Sequence, residues 1–514
     1  MDNDPKIYTF QQRRAVELAL DALGETINEA DLVEAVRALK FAHPTALLLP
    51  ALLKRLNTPS SQLRGGLARL AALLPSEETA LALRRYVADR RNPPTGRTTA
   101  AMIMDRFLGD PAPPALTADL RESDDAAFQS LAEAVTDAQT NPQVLLEYVT
   151  QMQSYGEEIA LLVLHHLDRL PADERVPLLR LTAQDERPVV ARAALGRLDA
   201  LASENSAAAR AIYTLQWATA PAIAALAERA HRKLQFRGGG FRPAEALEAR
   251  ALLAPAEISG AQWLLFVLPA HGQTPASRPL LAGFHLHLDY GILDSFYGEA
   301  GALLPPPGPL GSPVALPSEA GDRLYLEVGF DLGRFLLRRG LAPHAGETAK
   351  VPLRADYRLH HDRIWQYAPP APQPEAAALL GSDELAPLPD GDVPAVAAAL
   401  EAEPCMAEWL IPARPLHKQI AQMATGPAEV LLTRMAREAL EMIDSGPAGS
   451  TVRRNLDNGL RLQAVWLQAA GRAPLAQEVV RLARTLAGWP LVDNPLLFVA
   501  LRRGLEVQRM RWGL

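Results

Sequence analysis

The spacing of apolar residues changes twice along the chain. From about Thr9 to Leu234, apolar side chains recur every three or four positions between short polar breaks, which predicts a succession of amphipathic helices. Around residues 262–341 the texture changes. "QWLLFVLP" (Gln262–Pro269) is an apolar run of strand length, and "LLAGFHLHLDYG" alternates apolar and polar positions. The loop "AHGQTPASRP" between them predicts a β-hairpin. "DRLYLEVGFDLGRFLLRRGL" begins with strand-like alternation at Leu324, Leu326 and Val328, and the favoured reading is helix from Phe330 to Arg339. Beyond the Pro/Ala-rich "QYAPPAPQPEAAA" the helical period returns and runs to the end.

These shifts divide the chain into helical residues 1–237, a linker with a short helix over 238–255, a small α+β module at 256–368, a second linker at 369–389 and a helical domain at 390–514. The expected fold is therefore mainly α: an N-terminal α-solenoid, a hairpin-containing α+β module and C-terminal helices. The short helix is placed at Ala244–Leu253, opened by Pro243 after Gly238-Gly239-Gly240. Asn494 and Pro495 read as the N-cap and first residue of the last helix.

Two stretches of the N-terminal part align at a constant offset of 128 residues. In "LRGGLARLAAL" and "ARAALGRLDAL", Arg64 matches Arg192, Leu67 matches Leu195, Arg69 matches Arg197 and Leu70 matches Leu198. A proline precedes each (Pro59 and Pro188), and another helical stretch precedes each proline: "PTALLLPALLKRLN" and "RVPLLRLTAQDE". "SEETALALRRYVADR" followed by "TGRTTAAMIMDRFLG" gives a third, weaker pair. This two-helix unit resembles the HEAT repeat, an armadillo-type α-solenoid unit. The resemblance covers the N-terminal part only. It implies stacked helix pairs, each burying its apolar face against adjacent pairs, and a surface that holds another macromolecule. It brings no catalytic residues with it.

Composition narrows the function. With 48% hydrophobic and 22% charged residues, the 514-residue chain is globular and long enough for several cores. A net charge of −7 does not suit a general nucleic-acid binder. The charge is unevenly placed: residues 370–450 carry 12 acidic and 4 basic side chains, and residues 451–514 carry 10 arginines and 4 acids. Such blocks mark either a partner surface or two halves that dock on each other. The arginines (Arg453, Arg454, Arg461, Arg472, Arg481, Arg484, Arg502, Arg503, Arg509 and Arg511) are the residues a nucleic-acid reading would use. "HRKLQFRGGGFRP" offers a second basic stretch interleaved with Phe236 and Phe241; its simpler reading is a helix end carrying cations that suit the dipole. The single cysteine, Cys405, excludes an intrachain disulfide. No signal-peptide pattern and no long apolar span is present, so a cytoplasmic protein with no membrane partner is expected.

The strongest chemical motif is "GFHLHLDYG". In a strand, Phe284, Leu286, Leu288 and Tyr290 fall on one face, and His285, His287 and Asp289 on the other. His285 and His287 are at a spacing that lets two imidazoles share one metal ion. Asp289 lies about 13 Å from His285 along a straight strand, so a third ligand must come from His271 or from His360, His361 and Asp362. The stretch resembles the first metal motif of the metallo-β-lactamase superfamily, with Tyr290 where that pattern has its last histidine. A packed strand with an outward polar face accounts for the same residues. Asp289, Asp294 and Glu299 would serve acid–base chemistry only if they converged. Cys405 has no Cys-x-x-Cys partner; His417 is near it in sequence. No nucleotide-binding or nucleophile-elbow motif occurs. The leading reading is a non-catalytic scaffold with no cofactor that binds another macromolecule, a protein in first place. The alternatives are a metal-dependent hydrolase using His285 and His287, and a nucleic-acid binder using the C-terminal arginines.

Overall fold

Where apolar residues recur every three or four positions, helices form. In the computed structural model the first unit holds α1 (Phe10–Asp21), α2 (Glu29–Ala42), α3 (Thr45–Arg55), α4 (Ser61–Leu73), α5 (Ser76–Ala88) and α6 (Pro94–Phe107). There follow α7 (Asp124–Asp137), α8 (Gln143–Gln153), α9 (Glu157–Leu167), α10 (Ala172–Thr182) and α11 (Pro188–Leu201), then α12 (Ser206–Thr214), whose last residues already belong to the second unit. The structure describes all residues except 1–9, 27–28, 59, 111–123, 271–278, 302–303, 319–320, 347, 382–384, 412–427 and 512–514. Pro59, His271 and His417 therefore lie outside the described residues.

The chain divides into two units, 1–212 and 213–514. In the first, α1 packs on α3, α2 on α4, α3 on α5 and α4 on α6. The order continues as α7 on α9, α8 on α10 and α9 on α11, with sequence neighbours such as α5–α6 and α10–α11 also in contact. Contact with the next helix and the next but one is the packing expected of stacked helix pairs, and it is compatible with an α-solenoid. The aligned leucines are core residues in both copies: Leu67, Leu70 and Leu198 are fully buried and Leu195 nearly so. The aligned arginines repeat one bond, Arg69 Nη1 to Gly65 O (3.1 Å) and Arg197 Nη1 to Ala193 O (3.3 Å).

The second unit is built on a six-stranded antiparallel sheet. Its strands are β1 (Arg250–Ala256), β2 (Ala261–Leu268), β3 (Leu280–His287), β4 (Gly291–Glu299), β5 (Pro313–Ser318) and β6 (Gly321–Val328), in spatial order β4-β3-β2-β1-β6-β5. Its helices are α13 (Pro221–Phe236), α14 (Phe330–Ala345), α15 (Asp356–Trp365), α16 (Pro374–Gly381), α17 (Val393–Glu401), α18 (Ala428–Ser445), α19 (Gly449–Ala469), α20 (Ala473–Leu486) and α21 (Pro495–Arg511). The expected β2–β3 hairpin forms, with Trp263 opposite His285. The strand-to-helix switch at residues 322–341 occurs at Gly329. Asn494 caps α21 by accepting from the amides of Leu496 and Leu497.

Four expectations are corrected. No helix forms over Ala244–Leu253; instead Arg250–Ala256 is β1, next to the middle of the sheet. Its residues Ala251, Leu252, Leu253 and Ala254 are buried on both faces, so the strand carries no alternation to distinguish it from a helix. Residues 369–389 are not simply a linker, because they contain α16, whose Ala376 and Leu379 pack into the core. The 256–368 module and the 390–514 helices share one hydrophobic core running from Ala249 to Leu505. Finally, α13 and the residues just before it fall in the unit that holds the sheet, not with the preceding helices. Trp217 stacks on Trp365 with ring centroids 5.7 Å apart, and the Tyr213 hydroxyl donates to Tyr367 O at 2.6 Å.

The two charge blocks of the C-terminal part dock on each other. Arg453 pairs with Asp444, Arg472 with Glu403, and Arg502 with Glu429 at 3.9 Å. Others bond backbone carbonyls of the acidic half: Arg461 to Leu380, Arg481 to Ala386, Arg484 to Leu385 and Arg503 to Met406.

Candidate functional site

The sheet meets α19 where β1 leaves its partner. β6 pairs with β1 only from Ala251 to Leu253, and a register shift separates Leu253 from Ala256. Helix and loop side chains take over the freed backbone groups. Trp466 Nε1 donates to Leu253 O (3.1 Å), the Ala256 amide donates to Gln463 Oε1 (2.9 Å), and Trp409 Nε1 donates to Ala256 O (2.5 Å). These are buried groups, and leaving one unpaired costs about 1–3 kcal/mol. The approach is close enough to require glycine on both sides. A Cβ on Gly459 would stand 2.8 Å from Glu257 O, and one on Gly260 (φ +81°) would stand 2.7 Å from Asn455 O.

The histidine motif belongs to this joint. β3 ends at His287, residues 288–290 form a turn, and Gly291 (φ +86°) opens β4. Phe284 and Leu286 face the core as expected, and Leu288, in the turn, packs against the same core, but Tyr290 leaves the row. The turn folds Tyr290 back onto His287, with ring centroids 4.2 Å apart. His287 is 1% exposed rather than outward-facing, because α19 covers that end of the strand. Its Nδ1 accepts from the amides of Asp289 (3.1 Å) and Tyr290 (3.2 Å), while Nε2 faces Gly260 and Asn455. Burial pushes the His287 imidazole below its ordinary value, so the neutral ring is favoured. His285 lies against Trp263, ring centroids 4.7 Å apart, and its Nε2 is 3.3 Å from Glu257.

Glu257 is the centre of a charged row: Arg323 donates to it at 2.8 Å, and Arg323 Nε stands 3.7 Å from Glu408. Burial alone would raise the Glu257 carboxyl, but His285 and Arg323 outweigh it and hold it at about 2. So fixed as an anion, it is a poor proton donor near neutrality. Behind this row opens a cavity of about 620 Å³ with apolar walls that include Ile258, Leu440, Ile443 and Leu497, and with Glu257, Arg323, Glu408 and Asn455 among its polar lining.

His285 and His287 thus sit side by side in partnerships of their own. Among the described residues, no group of three or more His, Cys, Asp and Glu side chains is placed to hold a metal ion. His360 stacks on Tyr297, which packs on Phe284 of the core face, and His361 Nε2 lies 3.1 Å from Trp217 O. Neither stands opposite His285 and His287. The acidic series does not converge: Asp289 accepts from Asn458 (2.7 Å) and Asp294 faces Arg354 (3.3 Å). In α9, His166 is buried and His165 exposed, as adjacent helix positions require. Cys405 accepts from Gln463 Nε2 at 2.9 Å, and burial pushes its thiol up to about 12, away from thiolate chemistry. Glu257, Arg323 and Asn455 are the partners that sequence reasoning missed.

The chain thus combines an array of stacked helices with a sheet–helix unit that carries a charged row over an apolar cavity. Compared with protein-family models, with curated proteins and with solved structures, the chain gives no significant match. No described helix is long and apolar enough to cross a membrane.

Proposed function

We propose that the chain is a cytoplasmic scaffold of HEAT-like construction whose stacked helices hold another protein. The observation that carries this reading is a row of exposed apolar side chains at equivalent helix ends. α2 packs on α4 and α4 on α6, so the three stack in one row, and only short connections separate the helices between them. Phe41, Leu73 and Phe107 stand at or next to their C-terminal ends, exposed by 96%, 44% and 39%. Large apolar side chains left exposed on three helices of one row support a docking surface there. The repeated architecture supports the HEAT-like reading in a second way. Pro50 and Pro177 each occupy the sixth position of an eleven-residue helix, and the helix after each carries the matching leucines and arginines.

The test compares affinity capture by the native chain with capture by the triple variant Phe41→Glu, Leu73→Glu, Phe107→Glu. A protein retained by the former and lost by the latter is the expected result. If the two chains retain the same proteins, or none, the apolar row is not a docking surface and the reading fails.

A further inference from the structure

The C-terminal arginines are largely engaged by the acidic half of their own unit, but another set of cations is arranged differently. On α13, Arg229, Arg232, Lys233, Phe236 and Arg237 fall at i, i+3, i+4, i+7 and i+8, a single stripe on the helix surface. The opposite face is the buried one, with Ile223, Ala227, His231 and Leu234. All five stripe residues are exposed and together line one shallow depression. Glu228 stands 3.5 Å from Arg232 with both side chains more than half exposed, a pairing too weak to cancel the charge of Arg232. Favourable placement of cations near a helix C-terminus explains Lys233 and Arg237. It does not explain Arg229 a full two turns earlier, nor a phenylalanine 91% exposed among the charges.

We propose that this stripe binds single-stranded nucleic acid, with Phe236 as a stacking platform and the flanking cations on the phosphates. The chemistry is complementary: a base offers a π-face to an aromatic side chain, and guanidinium groups meet phosphate oxygens in a two-pronged geometry. The dimensions agree. From Arg229 to Arg237 the helix advances about 12 Å, and the reach of the two terminal arginines extends the row to roughly three or four phosphates of an extended single strand. A lipid surface fits less well, since an interfacial helix needs a broad apolar face and the one on α13 is buried in its own core. An acidic peptide would satisfy the charges but gives Phe236 nothing specific to do. The contact is small, so affinity is modest and strongly salt-dependent.

The experiment is fluorescence anisotropy of a labelled oligothymidylate of about twelve nucleotides, titrated with the full chain at several salt concentrations. Four cations on a single strand give a slope of log affinity against log salt of about −3. Arg229→Gln with Arg237→Gln reduces that slope by about 1.4. Phe236→Ala weakens binding by roughly tenfold or more while the slope is kept. Circular dichroism confirms that these surface variants retain their helix. Absence of binding at low salt overturns the proposal, as does binding that none of these variants changes. Two further outcomes overturn it. One is loss of affinity with the cations but not with Phe236. The other is binding of polyglutamate or of phosphatidylserine vesicles as tight as that of the oligonucleotide.

Discussion

The two units reach stability by different routes. In residues 1–212 each helix leans on helices near it in sequence, and the core of α1–α6 is made of aliphatic side chains such as Leu48, Leu52, Leu67 and Leu83. In residues 213–514, groups far apart in sequence are tied together one bond at a time: Trp409 to Ala256, Gln463 to Ala256, Trp466 to Leu253, Asn458 to Asp289. The first arrangement tolerates local change, because a defect is felt mainly by adjacent helices. The second concentrates its tolerance limits at a joint where two backbones nearly touch. All seven tryptophans of the chain lie in the second unit. Tryptophan fluorescence therefore reads that unit alone, while far-ultraviolet circular dichroism reads both.

The largest effect is expected at the joint. Gly459→Val places a branched side chain against Glu257 O, where even a Cβ would be 2.8 Å away. Neither backbone can yield, so a loss of about 4 kcal/mol is expected. It appears as a lower urea midpoint by tryptophan fluorescence, with the part of the dichroism signal due to the first unit unchanged. Leu67→Ala is the counterpart in the helical array. Leu67 is fully buried, and its truncation leaves a cavity costing about 3 kcal/mol. Here the dichroism transition moves and the fluorescence transition stays. Should both probes shift together for either variant, the units unfold as one block and the comparison fails.

The same contrast explains what could be read from the sequence. Helices in the first unit announce themselves, because a face that packs on near neighbours keeps a regular period, and the match of Leu67 with Leu195 is visible without a structure. The β2–β3 hairpin is legible for the same reason: its partners are close and a loop of turn residues separates them. β1 was not legible. Strands covered on both faces lose the alternation that marks them, and "RALLAPA" is as good a helix by composition as a strand. The histidine motif was half legible. Alternation placed Phe284 and Leu286 in the core correctly. What the other face meets was set by Glu257, Arg323 and Asn455, which stand 28 to 170 residues from His285 and carry no spacing signal. Nor does the sequence say that the basic and acidic C-terminal blocks satisfy each other, although the docking alternative contained that outcome.

The smallest effect sharpens the comparison through pH. His231, His287 and His344 all lie in the second unit, and burial lowers each from its ordinary value of 6.5. The unfolded chain then takes up protons before the folded one does, so their contribution is complete above about pH 6.5 and is lost as pH falls toward the folded values. Glu257 acts in a lower window. Its carboxyl is held at about 2 against an ordinary 4.5, so its contribution persists above about pH 4.5 and declines below it. The urea midpoint by tryptophan fluorescence is thus expected to fall in two stages as pH drops, first below the ordinary histidine value of 6.5, then below about 4.5. Glu257→Gln should remove the second stage and leave the first. A midpoint flat across the upper window would mean that the three imidazoles are hydrated in the folded chain, and that the joint at His287 is looser than its contacts with Gly260, Asn455 and Tyr290 imply.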